Sequence, residues 1–138
     1  MAVKKVKTIK VPRTRNNETL TESAFWGFIR STLRNASRWW KPISQCKLNS
    51  RRAYKGNKPL QKWEYECKHC KDWFMEKEVQ IDHIIDCGTL TCAADVAGFI
   101  ERLFCEVSGF QTLCKPCHQI KTNKGRTNKK IGGKEKTE

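Results

Sequence analysis

The chain has 138 residues, enough for one compact domain with extensions. Lysine and arginine total 28 against 14 acids, a formal net charge of +14, which points to a polyanionic partner. There is no long apolar run to cross a membrane, and the basic start MAVKKVKTIKVP lacks the apolar centre of a signal peptide, so nucleic acid is the expected partner ahead of an anionic membrane surface, and no membrane span or secretion is expected.

Residues 1–18 hold six basic side chains and no acid before Glu18, the pattern of a flexible basic arm. The segment TLTESAFWGFIRSTLRNASRWW then reads as a helix. Thr19 with Glu22 three residues later fits a capping box. Phe25, Ile29 and Leu33, with Phe28 and Ala36, recur at helical spacing and form the expected buried stripe. Arg30, Arg34 and Arg38 line another face, and Trp39 and Trp40 are expected in the core. After the break at Pro42, a second helix is expected to run to Tyr54, carrying Lys47, Arg51 and Arg52. KGNKP reads as a loop. Residues 19–58 thus form a helical extension before a second unit over 59–126. WEYEC and VQIDHI are strand candidates, CAADVAGFIERLF is a helix with Val96, Phe99, Ile100 and Leu103 on one face, and FQTL is a short strand leading into CKPCHQIKT. The Lys-, Gly- and Asn-rich residues 127–138 read as a disordered basic tail.

Four of the eight cysteines form two pairs, Cys67-x2-Cys70 and Cys114-x2-Cys117, separated by 43 residues. Each pair suits a knuckle in which two thiolates converge on one ion. Two knuckles make a closed four-thiolate shell, a preferred site for structural Zn²⁺. Such an ion would staple distant segments of a chain with a modest core. Disulfides are the weaker reading, because an intracellular, reduced protein fits the sequence better. Cys46, Cys87, Cys92 and Cys105 lack metal spacing and read as buried thiols. His69, inside the first knuckle, reads as exposed.

Set in order, a Cys-x2-Cys knuckle precedes a strand ending Asp82-His83. An insertion and a short strand follow, then LCKPCHQIKT. Over residues 63–126 this resembles the zinc-stapled HNH endonucleases, especially small phage-encoded members. The resemblance rests on DHI and LCxxCHxxKT, which are weak alone and strong together between the cysteine pairs. It implies an α+β protein: a small ββα-metal (His-Me finger, HNH) nuclease domain with a four-cysteine zinc site and an N-terminal helical extension. The strands Val79 to His83 and Phe110 to Leu113 would pair, and a helix beginning near Cys117 would cross them. His118, 35 residues beyond His83, would then meet Asp82 and His83.

Taken alone, Asp82 is a solvated acid and His83 a hydrogen-bonded structural histidine. The resemblance implies more. His83 is the general base that takes a proton from water, and Asp82 and His118 hold a catalytic Mg²⁺ or Mn²⁺ with open positions for substrate oxygens. Lys121, Lys124 and Arg126 are expected on the phosphates of double-stranded DNA. Arg30, Arg34 and Arg38 are divided between backbone contact and a solvated face. The implied role is phosphodiester cleavage, by nicking or double-strand breaks, in phage genome processing, packaging or homing. That role places the protein in the cytoplasm of a host cell, and a homodimer or a packaging partner would suit it. One position departs from the family. Gly109 stands nine residues before His118, where the middle asparagine is usual. Gln111, Ser108 or a backbone amide are candidates to replace it. A non-catalytic zinc-stabilised DNA-binding protein is the alternative, and an RNA-directed module stays open.

Overall fold

A computed structural model describes residues 8–135 of the chain, with side chains from 8 to 126. The protein is a small mixed α+β structure. A hairpin of β1 (Arg13–Arg15) and β2 (Leu20–Thr21) comes first. Its turn uses positive φ at Asn16, Asn17 and Glu18, and asparagine tolerates that region better than most residues. The end of the expected arm is therefore a strand, and residues 1–7 lie outside the described residues.

Helix α1 (Glu22–Ser37) is capped by Thr21, whose Oγ1 accepts from the Ala24 amide at 3.1 Å. The cap is thus Thr21 and not Thr19, whose hydroxyl instead donates to the Asn16 carbonyl at 2.6 Å within the turn. Glu22 accepts from Arg15 at 2.9 Å and from the Trp26 indole at 3.1 Å, and these bonds hold its carboxyl below the usual range. The buried stripe is rotated from the expected one. Trp26 is buried and Phe25, Ile29 and Leu33 are half-buried, whereas Phe28 and Ala36 face outward. Trp39 is also exposed, at 87%, while Trp40 turns inward and donates to the Cys105 carbonyl at 2.7 Å.

Helix α2 (Lys41–Asn49) has Pro42 in its first turn, where a missing amide costs nothing. It stops before the expected end at Tyr54. Arg51 and Arg52 leave the helix to form β3 (Arg51–Ala53), paired with β4 (Trp63–Glu66), which pairs in turn with β5 (Trp73–Phe74). Cross-strand stacking explains the switch. The Arg51 guanidinium lies 3.9 Å over the Trp63 ring and that of Arg52 lies 3.6 Å over Trp73. Arg52 also pairs with the buried Glu64 at 2.6 Å.

A second hairpin pairs β6 (Val79–His83) with β7 (Phe110–Cys114) in the register Asp82–Gln111 and His83–Phe110. Helix α3 (Val96–Leu103) lies in the insertion between them. Its Phe99 and Leu103, 0% and 1% exposed, build the main core with Trp26, Leu90 and Cys87. Ile100, expected on that face, is exposed. So is Cys92, and Cys105 is only half-buried, whereas Cys46 and Cys87 are buried as expected. Helix α4 (Lys115–Glu135) contacts both β6 and β7. It continues through most of the stretch expected to be disordered; residues 136–138 lie outside the described residues. Among the described residues, no helix is long and apolar enough to cross a membrane.

Candidate functional site

The four paired cysteines come together. One Sγ atom from each of Cys67, Cys70, Cys114 and Cys117 lies within 4.8 Å of the others. A tetrahedral zinc–thiolate shell has sulfur–sulfur edges of about 3.8 Å, and Cys70 and Cys114 are already 3.9 Å apart. The donor set fits a structural metal such as zinc. Cys67 and Cys70 follow the end of β4. Lys71 closes that knuckle with a φ of 65°, its amide bonded to the Cys67 carbonyl at 2.9 Å. Cys114 ends β7, and Cys117 lies in the first turn of α4. Burial pushes the Cys67 thiol up, but hydrogen bonds from the Cys114, Cys70 and His69 backbones outweigh it and bring the group down to about 6. Cys117 is pushed up to about 12, first by its hydrogen bond to Cys114 and then by burial and the neighbouring sulfurs. Four thiols this close share protons, and a dication would displace them. His69 is exposed and stands apart from the four donors.

The second cluster sits where β6 ends beside α4. His118 is one residue past Cys117, so the knuckle that fixes α4 also aims this imidazole. Its Nε2 lies 3.6 Å from Asp82 Oδ1. The other Asp82 oxygen accepts from Gln111 Nε2 at 2.9 Å and from Lys121 Nζ at 2.5 Å. Lys121 also donates to the backbone carbonyls of His83 and Ile84. Its ammonium is thus engaged by three oxygens of the protein itself.

His83 is held from another direction. Its Nε2 is 2.9 Å from the Leu103 carbonyl at the end of α3, and its ring packs on Phe110 with centroids 4.6 Å apart. A carbonyl only accepts, so Nε2 carries a proton, and in the neutral ring Nδ1 is the nitrogen that keeps a lone pair. None of the groups expected to stand in for the asparagine of the HNH pattern holds the ring in this way. Gln111 bonds to Asp82, and a carbonyl takes the place of an amide. Gly109 has its own reason. A Cβ there would lie 2.5 Å from Cys105 Sγ and 3.0 Å from Cys105 Cβ, so no larger side chain fits this loop as built. The Gly109 carbonyl accepts from the Ile84 amide at 2.9 Å, which ties the loop to the strand just after His83.

A cleft of about 540 Å³ opens over Asp82, His83 and His118. Arg34 reaches it from α1, and Lys121 and Arg126 reach it from α4. Of the three arginines spaced along α1, only Arg34 lines this cleft; its guanidinium also lies 5.8 Å from the Phe99 ring centroid. Arg30 and Arg38 are exposed elsewhere on the helix. Lys124 lines an adjoining depression beside the cysteine knuckles, with Lys68 and Gln111, and Lys121 borders both. The sequence offered no sign of the Leu103 carbonyl, because any residue can supply a backbone oxygen. Asp86 and Thr122 also line the cleft; Asp86 stands in no motif, and Thr122 closes LCxxCHxxKT without a role that the motif assigns. No family model, curated protein or solved structure matches the chain.

Proposed function

We propose that the chain is a metal-dependent HNH-type endonuclease that hydrolyses phosphodiester bonds of DNA. The observation that carries this reading is the meeting of Asp82, His83 and His118, drawn from β6 and α4, in one cleft edged by Arg34, Lys121 and Arg126. The pairing of β6 with β7 and the helix across them agree with the ββα arrangement that the resemblance implies.

In this reading His83 is the general base. Its proton on Nε2 is committed to Leu103, so Nδ1 receives the proton of the attacking water. Asp82 Oδ1 and His118 Nε2 are the donors for Mg²⁺ or Mn²⁺, which when bound supplies Lewis acidity to the phosphate. Asp82 is presented by Gln111, which leaves Oδ1 turned to His118. Arg34 and Arg126 bring positive charge to the scissile phosphate. The cysteine site holds the first knuckle to the start of α4 and so fixes His118 relative to Asp82.

Plasmid cleavage with added Mg²⁺ or Mn²⁺ tests the reading. Wild-type protein is expected to nick or linearise the plasmid, and His83→Ala to lose this activity with zinc content unchanged. Equal cutting by both proteins would remove His83 from its role. Absence of cutting by wild type across both metals would favour a zinc-stabilised DNA-binding protein.

A further inference from the structure

A second cavity, of about 720 Å³, shares no lining residue with the His83 cleft. Trp63 and Tyr65 of β4, Leu60 on the preceding loop and Met75 beyond β5 provide its apolar lining. Lys58, Lys62 and Lys77 stand around them. The one acid in the lining, Glu76, is paired with Lys47 at 2.5 Å and so does not offset these lysines. Leu60 is 96% exposed and Trp63 is 41% exposed, an unusual amount of apolar surface to leave open. Gln61 contributes an unmet need: its Oε1 is buried without a hydrogen-bond partner, the only such side-chain atom among the described residues.

These features suit one kind of occupant. An aromatic and aliphatic lining accepts a flat ring, lysines accept phosphate, and a buried acceptor needs an N–H donor. A nucleotide offers all three, because every base has a π-face and an N–H at its edge. We propose that this cavity holds one unpaired base of a single-stranded or locally opened nucleic acid. Its phosphates lie on Lys58, Lys62 and Lys77, and a turn of the Gln61 side chain brings its Oε1, shielded from solvent as it stands, to the base edge. The site goes beyond the nuclease reading and stands without it. Charge argues against self-occupation: the first seven residues carry Lys4, Lys5 and Lys7, and a second copy brings another net charge of +14.

The test uses the full-length, zinc-loaded protein without added Mg²⁺ or Mn²⁺. Anisotropy compares a single-stranded oligonucleotide with the same strand carrying interior abasic sites, and 2-aminopurine in the intact strand reports stacking. The abasic strand is expected to bind about tenfold more weakly, the size of one base–aromatic stack. Trp63→Ala is expected to relieve the 2-aminopurine quenching. Leu60→Ser, at a side chain too exposed to matter for folding, is expected to weaken only the intact strand. Equal binding of the two strands, or no effect of Leu60→Ser, would overturn the inference. So would tighter binding after removal of residues 1–7, or a dimer broken by Leu60→Ser, because another occupant would then hold the cavity. Plasmid cleavage, read separately, distinguishes the two ideas: base dependence can fail with cutting intact, or cutting can fail with base dependence intact.

Discussion

Placing an asparagine at Gly109, as the HNH pattern that the sequence resembles would have it, should harm this protein. In Gly109→Asn the new Cβ would start 2.5 Å from Cys105 Sγ and 3.0 Å from Cys105 Cβ. Rotation of the Cys105 side chain can move Sγ away but leaves its Cβ in place. The backbone there is also pinned, because the Cys105 carbonyl accepts from Trp40 at 2.7 Å and Trp40 packs edge-on against Phe104. Overpacking of this kind costs about 1–3 kcal/mol. The conflict begins at Cβ, so Gly109→Ala should lose nearly as much as Gly109→Asn. Cys105→Ala removes the closer contact, so the double variant should recover about 1 kcal/mol relative to the sum of the single losses. Urea denaturation of zinc-saturated protein measures all four species. A Gly109→Ala variant within about 0.5 kcal/mol of wild type, or a strictly additive cycle, would show that Cys105 does not exclude a side chain at 109.

Four further outcomes follow from the geometry. Cys114→Ser should lower bound zinc from one ion per chain, measured by elemental analysis, and shift the protein toward the unfolded state, since metal binding and folding are linked at such sites. Phe99→Ala should cost about 3–5 kcal/mol in denaturant unfolding, because that ring is 0% exposed. Lys121→Met removes the ammonium that shares Asp82 with any incoming dication; under the nuclease reading, the Mn²⁺ concentration for half-maximal cutting should fall roughly tenfold, the size of one charged hydrogen bond. Under the same reading, Arg34→Gln should slow plasmid cutting, while Arg30→Gln should leave it within roughly twofold, as a solvated charge outside the cleft would.

Much of the second unit was legible because its signals are local. Alternation marked β6, cysteine spacing marked the knuckles, and apolar spacing placed α3. The same rules failed where distant partners decide. Arg51 and Arg52 extend a helix on propensity alone, yet Trp63 and Trp73 draw them into a sheet. Trp26, not Phe28, is buried because Glu22 and the core around Phe99 reach it from one side of α1. Trp39 and Trp40 are indistinguishable neighbours in the sequence, and only Trp40 finds the Cys105 carbonyl. Asp82, His83 and His118 were each visible as residues. Their relation to Arg34 was not, because α1 precedes β6 by many residues and nothing local records how it docks.

The orientation of His83 needs no side chain at position 109. The end of β6 is fixed by backbone atoms: the Leu103 carbonyl on the ring, the Gly109 carbonyl on the Ile84 amide, and Lys121 on the His83 and Ile84 carbonyls. The first of these is only as rigid as α3. Leu103 is held there by its own side chain, 1% exposed in the core beside Phe99. The tautomer of His83 is therefore set by hydrophobic packing at the far end of a hydrogen bond. Under the nuclease reading, a cavity at Phe99 loosens the Leu103 carbonyl, so plasmid cutting should be more sensitive to core substitutions in α3 than to polar substitutions at Ser108, which is exposed and does not line the cleft.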